Sequence, residues 1–182
     1  MIPRIRRVVV GTSGSPGSLV ALRFAEILAR AHGAVLVPVI AWAPPGGDGA
    51  DHIQPSGQLR KQWQEMAVRR LRDALVMVWG RVPDDLPVDP RVERGPVGWV
   101  LINVACRDGD VLVVGAGRRG PLRRILACRV SRYCAAHASC PVILVPPSDL
   151  ARDMTRLRLA WLLKRGLSPR QVLRDQAGPA AL

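Results

Sequence analysis

The sequence predicts an α/β fold with an open five-stranded parallel sheet, helices on both faces of that sheet and a helical tail at the C-terminus. Short runs rich in β-branched residues alternate with longer segments whose apolar residues recur at helical spacing. This alternation is typical of a parallel sheet covered by helices. Several short runs are apolar without interruption, as expected of strands that are buried on both faces.

Glycine and proline residues divide the chain into nine predicted elements. Proline suits the first turn of a helix and glycine often follows its last turn, so these residues also indicate where helices begin and end. In chain order the elements are a strand at Val8–Val10, a helix from Pro16 to near Gly33, a strand at Ala34–Trp42, a helix over Leu59–Val78, a strand at Val88–Glu93, a helix over Val97–Ala105, a strand at Val111–Val114, a helix ending near His137 and a strand at Val142–Val145.

The chain is predicted to have two parts. Pro146 and Pro147 end the last strand, so residues 1–147 form the α/β domain and residues 148–182 form a basic helical extension. In the extension, Met154–Lys164 has helical spacing and Gly166 interrupts it. The long connection over Ala43–Gln58, with three prolines and four glycines, lies inside the first part.

The basic character of the chain is local. The formal net charge is +13, and three segments carry it: Arg4–Arg7, Gly115–Arg132 and the residues from Asp149 onward. The first two segments fall at opposite edges of a parallel sheet, so they form no continuous track for nucleic acid. Only Gly115–Arg132 follows the carboxyl end of a strand, where ligands of such sheets bind. We therefore expect an anion site in preference to a nucleic-acid site.

Length and composition exclude several classes of protein. A chain of 182 residues buries roughly 70% of its unfolded surface, so neither a metal nor disulfides are needed for folding. No apolar run reaches the ~18 residues of a membrane helix, and the N-terminal run is shorter than a signal-peptide core of ~7–15 residues. We expect a cytoplasmic protein with no membrane association and with reduced thiols.

Metal and hydrolytic sites are not expected. Cys134, His137 and Cys140 have the spacing C-x2-H-x2-C, which suggests zinc. However, Cys134 lies on one apolar helical stripe with Val130 and Ala138, so we interpret it as a core residue. The sequence has no G-x-S-x-G motif and no histidine in a turn after a strand, so we expect no nucleophilic catalysis.

Three regions are candidates for ligand binding because they lie at the carboxyl ends of strands. They are Gly11–Gly17 after the first strand, the region after Val39, and Gly115–Arg132 after the fourth strand. Helix N-termini present free N–H groups at such turns. The first turn lacks the lysine of a phosphate-binding loop, since Lys61 is the first lysine in the chain, and it misses the spacing of the dinucleotide fingerprint.

Several blocks of residues resemble the universal stress protein family. The blocks are Val-Val-Val-Gly-Thr-Ser-Gly-Ser-Pro-Gly-Ser at 8–18, Gly-Ala at 33–34, Val-Glu-Arg-Gly-Pro-Val-Gly-Trp-Val-Leu at 92–101, Gly-Asp-Val-Leu-Val-Val-Gly-Ala-Gly-Arg-Arg-Gly-Pro-Leu at 109–122 and Ser-Cys-Pro-Val-Ile-Leu-Val-Pro at 139–146. The resemblance spans about residues 4–147. It implies strand order 3-2-1-4-5 and a dimer, commonly formed through the last strand.

The resemblance also implies where ATP binds in those members that bind it. Their ATP-site positions fall here on Gly11, Ser13, Val39, Gly115, Arg118, Cys128 and Arg129. Ser13 replaces the aspartate after the first strand, and Arg118, Cys128 and Arg129 replace two glycines and a hydroxyl residue of the fourth-strand loop. A Cβ crowds the approach of backbone N–H groups to phosphate, so the resemblance implies a degraded ATP site.

The predicted function is that of a non-enzymatic stress-response regulatory or adaptor protein with weak or absent ATP binding. We expect a homodimer, formed through the fifth strand or the C-terminal extension, and an unidentified protein partner. The alternative is a sensor of ATP or another adenine nucleotide that uses Arg118 and Arg129. A second alternative is nucleic-acid binding through the basic segments, and slow ATP hydrolysis is a third.

Overall fold

A five-stranded parallel sheet forms the centre of the protein. The computed structural model describes residues 4–44, 57–81, 83–116 and 124–146, and it describes only the backbone of 124–128. The strands are β1 (Arg7–Gly11), β2 (Val35–Trp42), β3 (Arg91–Arg94), β4 (Asp110–Gly115) and β5 (Val142–Val145). They lie in the order β3-β2-β1-β4-β5 and all neighbours are parallel. The predicted fold class and strand order are confirmed.

Helices cover both faces of the sheet. They are α1 (Pro16–His32), α2 (Gly57–Trp79), α3 (Val97–Val104) and α4 (Arg124–His137). α1 begins where predicted, with proline in its first turn. It ends at Gly33, whose φ of 57° is left-handed and whose N–H donates to the carbonyl groups of Ala29 and Arg30.

Alternate residues of the strands point into two separate cores, one on each face. Val8 and Val10 are fully buried with α1 and α2, whereas Val9 is fully buried with α3 and Cys134 of α4. The unbroken apolar runs in the sequence reflect this burial on both faces. At roughly 25 cal/mol per Å² of apolar area, these two cores supply the main stabilisation of the domain.

The third strand differs from the prediction. It begins at Arg91, not at Val88, because Val88 forms only an isolated bridge with Leu36 and Pro90 has no N–H to continue the ladder. The ends of the other elements differ from the predictions by one or two residues, as fraying ends do. The central part of the 43–58 connection and the extension 148–182 lie outside the described residues. Their predicted conformations stay predictions.

None of the helices within the described ranges combines the length and the apolar content that a membrane crossing needs.

A buried ion pair joins the amino ends of β1 and β4. Arg7 Nε lies 3.0 Å from Oδ1 of Asp110, and its NH2 group donates to Oδ2 of Asp110 at 3.2 Å and to the carbonyl of Val104 at 2.6 Å. The Asp110 side chain is fully buried and also accepts from the N–H of Arg107 at 2.9 Å. The pair therefore fixes the end of α3 and the α3–β4 loop against the two central strands.

We predict that Asp110→Asn lowers the free energy of unfolding by about 3 kcal/mol or more. The substitution leaves the Arg7 guanidinium buried without an opposite charge, which is among the costliest changes in a protein interior. Urea denaturation followed by circular dichroism measures the effect. Asp108→Asn is the matched control: Asp108 is exposed, so its substitution should change the stability by at most about 0.5 kcal/mol. Equal effects of the two variants would contradict the prediction.

Candidate functional site

The turn between β1 and α1 lies at the carboxyl edge of the sheet, where a ligand is expected. Ser15 caps α1, and its hydroxyl oxygen accepts from the N–H of Ser18 at 3.3 Å. The N–H of Ser13 donates to Oγ of Ser18 at 3.2 Å. Gly14 has φ of 72°, which allows the sharp turn between these serines. These hydrogen bonds thus join the serine side chains to the backbone within the turn itself.

The flanking N–H groups of this turn also have partners inside the protein. The N–H of Thr12 donates to the carbonyl of Val39 at 2.7 Å, and the N–H of Leu19 donates to the carbonyl of Ser15 at 3.0 Å. Together with Ser13 and Ser18, these residues account for four backbone donors of the turn. A phosphate bound here through any of them must first replace an existing hydrogen bond.

Gly115, at the end of β4, touches the first turn of α1. A Cβ on Gly115 would lie 2.8 Å from the carbonyl oxygen of Gly17 and 3.5 Å from the N–H nitrogen of Ser18. Gly115 is not among the glycines with positive φ in the described chain. The position therefore requires glycine because two backbones approach closely, and this packing explains the residue without a ligand.

Gly11 and Val39, paired between β1 and β2, also have packing roles. Val39 is 1% exposed and lies in the core beneath α3 with Leu101. A Cβ on Gly11 would lie 3.0 Å from Cδ1 of Leu101. The resemblance places an adenine contact at Val39, but this side chain presents almost no accessible surface in the described structure.

The structure places the seven predicted site residues unequally. Gly11, Ser13, Val39 and Gly115 meet at the carboxyl edge through the contacts above. Arg129 is an exposed residue of α4. Arg118 lies outside the described residues, and Cys128 is described only as backbone of α4. The predicted role of Arg118 and Arg129 in the site therefore stays a prediction.

Two cavities lie at the opposite, amino-terminal side of the sheet. The larger, of about 390 Å³, lies between the starts of β4 and β5 and is lined by Ile5, Cys106, Arg107, Asp110, Cys140 and Ile143 among others. The smaller, of about 210 Å³, lies beside the end of α3. Neither contains a predicted site residue. Among the described residues, these two cavities and the predicted ligand edge are therefore separate places.

The C-x2-H-x2-C residues do not converge on one point. Cys134 is fully buried, whereas the exposed His137 stacks on Tyr133 with 4.3 Å between ring centroids. Burial, followed by the nearby Cys140 thiol, raises the pKa of Cys134 to about 11. Among the described residues, no group of three or more His, Cys, Asp or Glu side chains is placed to hold a metal ion.

Sequence reasoning missed two groups of residues. Arg7 and Asp110 each stand next to an apolar strand run, and a base and an acid directly before two buried strand runs were the available signal. Trp99 is 52% exposed, and the Arg94 guanidinium lies 5.8 Å from the centroid of the Trp42 ring. Periodicity does not find these contacts, since they depend on which strands become neighbours.

A family model places the chain among known proteins. The model of the universal stress protein family matches residues 4–146. The chain belongs to the universal stress protein family. The match covers the whole α/β domain, and this universal stress protein domain ends where β5 ends.

Individual relatives agree with this assignment. A universal stress protein of Mycolicibacterium smegmatis is 32% identical over 140 residues, which is 77% of this chain and 45% of that protein. The chain thus spans under half the length of this curated relative. A crystal structure of a universal stress protein in complex with cAMP is 26% identical, with a TM-score of 0.52 over 80% of this chain and 99% of that one.

A third relative shows the fold alone. Universal stress protein UspA from Lactobacillus plantarum is 18% identical over 78% of this chain and 98% of its own, with a TM-score of 0.56. At this identity the sheet and its helices are shared while the side chains at the carboxyl edge are not comparable.

We predict that Gly115→Ala lowers the free energy of unfolding by about 1–3 kcal/mol, because the new methyl group would overlap the Gly17 backbone and force a shift. Guanidinium denaturation measures this loss. Gly17→Ala is the matched control on the other side of the contact. A Cβ on Gly17 meets nothing within 4 Å, so this variant should be neutral or more stable by up to about 1 kcal/mol. An unchanged stability of Gly115→Ala would contradict the packing explanation.

Proposed function

We propose that this universal stress protein is a non-enzymatic stress-response regulatory or adaptor protein that binds adenine nucleotides weakly or not at all. The observation that carries the proposal is the hydrogen-bonded turn over residues 12–19. Four of its backbone donors already have partners within the chain; among them, the N–H of Ser13 donates to Oγ of Ser18 and the N–H of Ser18 donates to Oγ of Ser15. A nucleotide gains little from replacing one satisfied hydrogen bond by another, since each contributes about 1 kcal/mol net.

The chemistry of the turn further supports weak binding. Ser13 stands where ATP-binding relatives are expected to have aspartate, so the turn offers no carboxylate to the hydroxyl or amino groups of a nucleoside. Residues 11–18 contain neither Asp nor Glu. Mg²⁺ bound to nucleotide phosphates usually takes one or two carboxylates. The same turn therefore supports a role without ATP hydrolysis.

The second candidate function is an adenine-nucleotide sensor. It is favoured by the universal stress protein that was crystallised with cAMP and that is 26% identical to this chain. In this version Arg118 and Arg129 hold the phosphate through their guanidinium groups, in place of the backbone contacts that glycines allow. The exposed position of Arg129 on α4 is compatible with that role.

We further propose a homodimer formed through β5. This strand lies at the edge of the sheet, and Leu144 is 45% exposed there. An edge strand with apolar side chains and unpaired backbone groups is a template for pairing with a second chain.

We predict no stoichiometric binding of ATP or cAMP at micromolar concentration. Equilibrium dialysis of the full chain with radiolabelled ATP, and separately with cAMP, measures occupancy up to about 100 μM ligand, where sites with Kd below about 1 μM would be full. One bound nucleotide per chain at that concentration would contradict the proposal. Arg132→Ala is the control, because Arg132 is at a neighbouring exposed position. Binding that Arg129→Ala abolishes and Arg132→Ala leaves unchanged would show that the sensor is the correct function.

We predict that Leu144→Lys converts the dimer to a monomer of about 20 kDa, because the charge would be buried at the interface without a partner. Light scattering coupled to size-exclusion chromatography measures the mass. Val97→Lys is the matched control: Val97 is 44% exposed but lies on α3, so this variant should stay dimeric. A dimer that survives Leu144→Lys would move the interface away from β5 and favour the C-terminal extension.

A further inference from the structure

Two thiols line the larger cavity at the amino side of the sheet. Cys106 follows the end of α3, and Cys140 lies just before β5. Both line the cavity of about 390 Å³, and both are free thiols. Two cysteines from separate loops that line one cavity bring together the groups needed for a disulfide.

Asp110, the first residue of β4, lies near both loops. The register of β4 and β5 pairs Leu112 with Val142, and the same register continued by two residues sets Cys140 alongside Asp110. On the other side, the N–H of Arg107 donates to Oδ2 of Asp110 at 2.9 Å. Cys106 is the neighbour of Arg107, so both cysteines flank one buried carboxylate at the same end of the sheet.

The two thiols differ in accessibility and protonation. Cys106 is exposed, whereas Cys140 is partly buried and packs against the core that contains Leu112 and Cys134. Burial raises the pKa of Cys140, and the neighbouring charges of Asp110 and of Cys106 raise it further. A small oxidant therefore meets Cys106 first, while Cys140 is held nearby as a protonated thiol.

We propose that Cys106 and Cys140 form a reversible disulfide when the protein meets a peroxide. In the first step, the sulfur of Cys106 attacks one oxygen of hydrogen peroxide, the O–O bond breaks, and Cys106 sulfenic acid and water form. In the second step, the sulfur of Cys140 attacks the sulfur of Cys106. The S–S bond forms, the S–O bond breaks, and the hydroxyl group leaves as water with the proton of Cys140. Two thiols are oxidised and one peroxide is reduced to two waters.

The disulfide joins two loops that also meet through the sheet and through the core that contains Ala105 and against which Cys140 packs. It tethers the loop between α3 and β4 to the start of β5, across the cavity. The same loop holds the backbone donor to the buried Asp110. Oxidation therefore closes the amino side of the domain and leaves the turn between β1 and α1, at the other edge, unmodified.

Thiol counting and peptide mapping on the full 182-residue chain test the proposal. The reduced chain has four cysteines, so Ellman's reagent should count four thiols after unfolding in denaturant, and two after treatment with one equivalent of hydrogen peroxide. The intact mass should fall by two hydrogen atoms. Tryptic mapping without reductant should yield one linked pair of peptides containing Cys106 and Cys140, and dithiothreitol should restore all four thiols.

Single substitutions test the order of the steps. Cys140→Ser should keep Cys106 as a sulfenic acid that dimedone labels, whereas Cys106→Ser should lose both the label and the disulfide. Cys134→Ala is the control, because Cys134 is fully buried and its thiol is held protonated. This variant should form the same linked peptides. If it fails to fold, the map of the unsubstituted chain decides alone.

Four results would overturn the proposal. They are a bridge that includes Cys128 or Cys134, a bridge between Cys106 residues of two chains, sulfinic acid on Cys106 without any bridge, and four thiols remaining after peroxide. Each is visible in the same peptide map or thiol count.

Discussion

The buried ion pair between Arg7 and Asp110 is the constraint on which the rest of this universal stress protein domain depends. Taking two charges out of water is costly, and the cost is offset only when the geometry satisfies both groups. Here the guanidinium also donates to the carbonyl of Val104, and the carboxylate also accepts from the N–H of Arg107. The pair aligns Arg7 opposite Asp110 in the ladder, so it sets the register of the two central strands.

That register determines what meets at the other end of the strands. β1 ends in the turn that Ser15 caps, and β4 ends at Gly115, whose backbone touches α1 at Gly17. A shift of either strand by one residue would exchange the two faces of its side chains and separate these ends. The amino side of the sheet thus holds the charges and thiols, while the carboxyl side holds a closely packed, uncharged turn.

The elements that the sequence predicts well are those marked by a local signal. β5 and the start of α1 are found where predicted, because an unbroken apolar run and a proline in a first helical turn need no information about neighbours. The start of β3 was predicted too early, since Val88 has the composition of a strand but Pro90 interrupts its ladder. Strand ends depend on hydrogen-bond partners that composition does not reveal.

The candidate site was harder to predict, for a related reason. The motif positions identified Gly115 and Val39 in the sequence but not the reason for either residue. Glycine is required at 115 because a Cβ there would lie 2.8 Å from the backbone of Gly17. Val39 is enclosed by α3. Likewise, Cys106 and Cys140 are 34 positions apart in the sequence and come to line one cavity in the folded chain, where β4 pairs with β5. Such contacts arise from topology and have no local signature.

The serine cap of α1 also bears on whether the stability of this helix depends on a ligand. A helix that opens onto an empty phosphate site gains its last contacts only when the ligand arrives, and its stability then follows ligand concentration. In this chain Ser15 and Ser18 complete the first turn from within. The start of α1 is therefore stabilised by side chains of the chain itself and needs no ligand to be capped.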